Sequence, residues 1–142
     1  MARSRNNQVN VLLPDGWEDG TIHSFLGPER SGVRSIISVS SNSSAGGADS
    51  LEEYAKLHSA HVIGSYGDAE TLLEESRQLA SGRTVFEISF RCGAGSGTTY
   101  TSLAYMIENG NGYTFQVRSD RASRQLNRAA FLQMLESFTP TK

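Results

Sequence analysis

The sequence predicts an α+β fold, an antiparallel sheet of about six to seven strands with helices packed on one face. Three observations carry this. Short segments of alternating apolar and polar residues recur along the chain, separated by Gly, Asn and Pro turns. Residues 50–64 and 123–138 show clearly the apolar period of about 3.6 that marks a helix. The resulting order of strands, helix, strands, helix lacks the strict alternation that builds a parallel sheet.

Val9 to Leu13 reads as a short strand closed by the turn Pro14-Asp15-Gly16. Thr21 to Leu26 and Val33 to Ser40 read as two more strands, with Gly27 to Gly32 as the hairpin connection. Ser41 to Asp49 is a polar run with two glycines, read as a loop. Ser50-Leu51-Glu52-Glu53 has the spacing of a capping box, in which the serine hydroxyl and the glutamate satisfy opposite sides of the first turn. Leu51, Tyr54, Ala55, His58 and Val62 then form one apolar stripe ending near Gly64. Residues 70–80 fit either element by pattern, and the turn Ser81-Gly82-Arg83 favours a strand. In Thr84 to Cys92, Phe86, Ile88 and Phe90 alternate with Glu87, Ser89 and Arg91, the pattern of a half-buried strand. Thr98 to Glu108 and Tyr113 to Ser119 flank the turn Asn109-Gly110-Asn111-Gly112. A last helix spans Ser123 to Phe138, with Leu126, Ala130, Met134, Leu135 and Phe138 on one side and Pro140 beyond it.

A length of 142 residues suits one domain over the whole chain, with residues 1–8 as a flexible N-terminal segment. The formal charge of −2 gives no broad positive field, so nucleic acid is not expected as a partner. Cys92 is the single cysteine, which excludes an internal disulfide and a multi-cysteine metal site. The basic start Met-Ala-Arg-Ser-Arg lacks the apolar stretch of a signal peptide, and no segment approaches the roughly 20 apolar residues that span a bilayer. These features point to the cytoplasm, with no stable membrane insertion.

No pattern of residues makes a convincing catalytic or metal site, and no cofactor is expected. His58 and His61 share a helix, but metal binding needs three or four convergent ligands, and His58 falls on the apolar stripe. Gly93-Ala94-Gly95-Ser96-Gly97 leads into the β-type run Thr98-Thr99-Tyr100-Thr101, whereas a phosphate loop opens a helix. Cys92 ends a strand with no nucleophile signature around it. Glu74, Glu75 and Glu87 read as solvated sheet-face residues. Arg118, Arg121, Arg124 and Arg128 form a basic stretch that suits solubility or an acidic partner patch.

The sheet carries a more informative irregularity. Tyr100, Ala104 and Met106 lie on one face of their strand and Leu103, Tyr105 and Ile107 on the other, while Ile36 and Ile37 point opposite ways. A sheet with one solvated face alternates more cleanly. Apolar residues on a face without helices predict a dimer interface or a binding groove, or else a cover formed by terminal segments or loops.

Leu13-Pro14-Asp15-Gly16-Trp17-Glu18-Asp19-Gly20-Thr21-Ile22-His23-Ser24-Phe25 resembles the P-x-x-W-x-D-x-(S/T)-(I/V)-x-x-(F/L) opening of the DcrB-like family, in particular the effector-associated chaperones of type VI secretion. Ser50 to Ile63, Gly82-Arg83-Thr84-Val85-Phe86 and Phe131 to Pro140 are similar to the family's first helix, a strand entry and its closing helix, a pattern also found in the wider PsbP and Mog-type fold group. The resemblance implies a homodimeric adaptor that shields a hydrophobic, transmembrane-type helix of an effector protein before export. It places the client groove on Ile22, Ser24, Ile37, Val39, Thr101, Leu103 and Tyr105. This chain departs from the pattern in lacking a glutamine near Leu103 and in having Ser40-Ser41 where an Arg-Asp pair is frequent. The alternative is a PsbP-like accessory subunit that docks on a larger assembly.

Overall fold

The computed structural model describes residues 2–5, 10–16, 22–30, 33–42, 51–93, 95–108 and 110–139. The Trp17 to Thr21 part of the opening motif, the run 43–50 with its capping Ser50, Asn109 and Pro140 lie outside the described residues. The strands are β1 (Ala2–Arg5), β2 (Asn10–Leu13), β3 (Ile22–Arg30), β4 (Val33–Asn42), β5 (Glu70–Gln78), β6 (Thr84–Cys92), β7 (Thr99–Glu108) and β8 (Asn111–Ser119). The helices are α1 (Leu51–Gly64) and α2 (Arg124–Ser137). β1 and β2 form an antiparallel pair, so part of the N-terminal segment expected to be flexible is a strand held by a ladder. β3 to β8 build a six-stranded antiparallel sheet in the order β3-β4-β8-β7-β6-β5.

Alternation along β6 divides the core in two. Phe86, Ile88 and Phe90 pack with Leu103 and Tyr105 beneath Tyr54 and Ala55 of α1. Val85, one residue out of phase, packs with Ala104, Met106, Phe115, Val117, Ile37 and Val39 beneath Phe131 and Leu135 of α2. Successive strand residues point to opposite sides, so the two helices cover opposite faces of the sheet. This corrects the expectation of helices on one face and of a half-buried β6. Every residue from Val85 to Phe90 is buried, because each face has its own helix. The two apolar faces of β7 have the same cause.

The helices use different surfaces for this. On α1 the stripe of Leu51, Tyr54, Ala55, His58 and Val62 faces the sheet as its spacing predicts. On α2 the buried residues are Asn127, Phe131 and Leu135, with Ala130, Met134 and Phe138 beside them, and Leu126 is exposed. Asn127 Nδ2 donates to Ser119 Oγ at 2.9 Å, so a polar group starts the buried stripe where an apolar one was expected. Phe138 closes it, edge-on to Tyr113 and Phe115 with both ring centroids at 5.0 Å.

β3 is longer than its apolar run suggests. It continues through Gly27 and Pro28 to Arg30, with a register shift between Leu26 and Glu29. The loop between β6 and β7 shows one glycine requirement clearly. Gly93 has φ +84°, and a Cβ there would lie 2.6 Å from the Gly97 carbonyl oxygen.

Candidate functional site

The seven residues assigned to a groove do not meet. Strand register pairs Phe25 with Ile37 and Ile22 with Ser40, so Ile22 and Ser24 face the α1 side whereas Ile37 and Val39 face the α2 side. Ile37 and Val39 are buried beneath α2. Thr101, Leu103 and Tyr105 share the α1 side with Ile22, but Leu103 and Tyr105 lie beneath the helix and all three are buried. Of the set, only Ile22 and Ser24 are exposed.

An open surface does exist beside that cover. α1 packs mainly on β6 and β7, and on the side toward β3 and β4 its Tyr54 hydroxyl reaches Thr114 of β8 at 3.2 Å. On the same face, β3 and β4 present Ile22, Leu26 and Ile36, which are 62%, 54% and 51% exposed. Leu26 stands directly across from Ile36. Ser24, Ser38 and Ser40 lie among them, and Gln116 of β8 follows on the side toward β7. The surface is thus aliphatic with small hydroxyls, at the β3 edge of the six-stranded sheet. Leu26 and Ile36 were not singled out as groove residues. Their signal in sequence is the apolar residue on the off-phase of each strand: Leu26 after Phe25, Ile36 before Ile37.

The titratable candidates are committed to structure. His58 Nδ1 lies 2.9 Å from the Tyr105 hydroxyl, and the two rings meet edge to face with Tyr54 beside them. Burial, with a smaller contribution from His61, pushes the His58 pKa down. Burial pushes the Tyr105 hydroxyl well above its usual value, so it stays protonated. The Cys92 thiol is also pushed up, first by burial and then by Asp68, the reverse of what an activated nucleophile needs. Among the described residues, no three of His, Cys, Asp and Glu converge as a metal site.

Glu87 is the largest departure from the sequence reading. Expected on a solvated face, it is fully buried. Arg128 of α2 binds both of its oxygens, with Nη2 to Oε1 at 3.1 Å, and Arg77 of β5 adds an ion pair at 2.8 Å. The basic stretch that includes Arg128 is dispersed by the fold. Arg118 sits over the Tyr66 ring, Arg121 lines a cleft with Asp68 and Glu70, and Arg124 lies 4.2 Å above the Tyr100 ring.

Neither a family model nor a curated protein sequence matches the chain. Solved structures do. A Pseudomonas aeruginosa protein of unknown function superposes with a TM-score of 0.75 at 12% identity, over 100% of this chain and 98% of that one. Cyanobacterial PsbP from Synechocystis superposes with a TM-score of 0.58 at 16% identity, over 99% of this chain and 92% of that one. The chain therefore has a PsbP-like α+β fold.

Proposed function

We propose that this protein is a non-enzymatic chaperone or adaptor that binds a hydrophobic, transmembrane-type helix of a secreted effector and helps load it for type VI secretion, acting in the cytoplasm as a homodimer. The observation that carries this reading is the open half of the α1-side face, where Ile22, Leu26 and Ile36 stand exposed around small hydroxyls. An aliphatic surface dotted with serines can replace the contacts a membrane helix makes with its neighbours, where small and hydroxyl residues are favoured. The DcrB-like opening motif supports the class of client. Gln116 supports it too, since it lies directly across from Leu103, giving a spatial counterpart to the glutamine that β7 lacks.

Magnitudes favour a dimer. Covering three half-exposed aliphatic side chains contributes about 1 kcal/mol each, roughly millimolar affinity for one patch. Two patches in a dimer raise the effective affinity without new contacts. The non-enzymatic reading draws on the occupied state of His58 and Glu87, neither of which offers an uncommitted acid or base.

The test is suppression of aggregation of a synthetic apolar helix of about 20 residues, followed by light scattering. Wild-type protein should keep it in solution, and the double variant Ile22→Asp, Ile36→Asp should not, while retaining its circular dichroism spectrum. Equal suppression by both proteins would sink the assignment of this face. The likeness to PsbP favours a second reading, an accessory subunit docking on a larger assembly through its charged surface. That reading gains if the double variant still co-purifies with such an assembly and changes at the Asp68, Glu70, Arg91 and Arg121 cleft release it.

A further inference from the structure

The opposite face of the sheet holds a cavity of about 280 Å³ over β5, β6, β7 and β8 and beside the first turns of α2. Leu73 and Val117 form an apolar wall, Ser89, Ser102 and Ser119 provide hydroxyls, and Arg124 and Arg128 stand at the side of α2. We propose that this cavity binds a small oxyanion, a carboxylate or a phosphate, carried on a compact organic body, with Arg124 and Arg128 as its cationic contacts.

The charge count supports an anion. Beside the cavity Arg77, Arg124 and Arg128 meet two carboxylates, Glu75 and Glu87, leaving one positive charge in excess, and Arg91 and Glu70 farther along the same face neutralise each other. Glu87 consumes Arg77 and only two of the five N–H donors of Arg128. Arg124 spends its guanidinium on the Tyr100 ring face, and no carboxylate among the described residues pairs with it. Such a stacked guanidinium keeps its in-plane donors for an oxyanion. Ser119 Oγ accepts from Asn127, which leaves its own O–H to donate, whereas Ser89 donates to Glu87 Oε2 at 3.4 Å and accepts from Ser102 at 2.9 Å, so those two protons are already used. Ser119 is itself buried and fixed by Asn127, so its hydroxyl is held in place before a ligand arrives. At ~30 Å³ for a water-sized group, the cavity takes roughly nine non-hydrogen atoms. That allows the anionic head and a short apolar body against Leu73 and Val117.

The experiment is an NMR titration of the wild-type protein at constant ionic strength, with inorganic phosphate in one arm and butyrate in the other, observing the arginine Nε–H signals. The Arg124 and Arg128 signals should shift and saturate with at least one probe. Arg124→Gln, a change at an exposed position, should weaken that binding about tenfold, the loss of one charge-assisted contact. Arg118→Gln, which alters the cation over Tyr66, should leave it unchanged. Non-saturating shifts with both probes, or equal effects of the two variants, would overturn the proposal. Phosphate-only binding identifies the head group as phosphate, and butyrate binding identifies a carboxylate. The result is independent of the helix-suppression assay, which probes the other face.

Discussion

On the α1 side of the sheet, the half over β6 and β7 and the half over β3 and β4 carry similar aliphatic side chains at the same alternation. Leu103 and Ile88 are buried in the first half, whereas Ile22 and Ile36 are more than half exposed in the second. The difference lies in the reach of one helix: α1 is 14 residues long and rests on β6 and β7. At 1.5 Å rise per residue it is about 21 Å long and one helix diameter wide, roughly two strands at 4.8 Å spacing. A six-stranded sheet is wider than its cover, and on the described residues the remainder stands exposed.

The comparison can be broken most forcefully at Leu103. Leu103→Asp places an unpaired carboxylate beneath α1 and should cost on the order of 4 kcal/mol or more, enough to abolish cooperative thermal unfolding. A folded Leu103→Asp protein would mean that α1 does not seal this half. The α2 side offers a cover held partly by charge. Arg128→Ala removes the bidentate partner of fully buried Glu87 and should destabilise by about 3 kcal/mol in urea denaturation, with much of the loss recovered when Glu87→Gln is added. No recovery in the double variant would show that the pair contributes nothing specific.

A smaller effect is expected at His58. Its pKa is lower in the folded protein than its ordinary 6.5, so the unfolded chain takes up the proton more readily. The stability tied to the neutral ring is complete above pH 6.5 and declines as pH falls through and below that value. Thermal midpoints measured from pH 7.5 to 5 should therefore fall, and His58→Gln should flatten part of the slope; parallel curves would contradict it. Least of all should change at the open half, where Ile22→Ala is expected to alter stability by no more than about 0.5 kcal/mol. A loss as large as that of a core leucine would mean Ile22 is not free surface.

Much of this fold was legible because its strands and helices have clean periods. Thr84 to Cys92 and the α1 stripe from Leu51 to Val62 are where the pattern places them. What a strand's own alternation does not contain is its register against the next strand. Ile22 and Ile37 were assigned to one groove, yet Ile22 faces Ser40 and Ile37 faces Phe25, a one-residue difference of phase that puts them on opposite sides. Glu87 was misread for a related reason. A carboxylate in an alternating strand looks solvated until the partner that neutralises it is known, and Arg128 lies 41 residues away on α2. One local clue was present: Arg128 precedes Phe131 by three residues, on the side of the helix that faces the sheet.

The bulge in β3 bears on how this protein survives at high concentration. A free sheet edge is a template on which identical chains can stack into fibrils. Here Gly27 and Pro28 drop out of the ladder between Leu26 and Glu29, and Pro28 has no N–H to offer an incoming strand. Among the described residues, an edge approaching β3 can therefore pair along Ile22 to Leu26 before it meets the interruption. The bulge thus twists and breaks the edge that carries Ile22 and Leu26, one of the ways a sheet resists open-ended stacking where it is most adhesive.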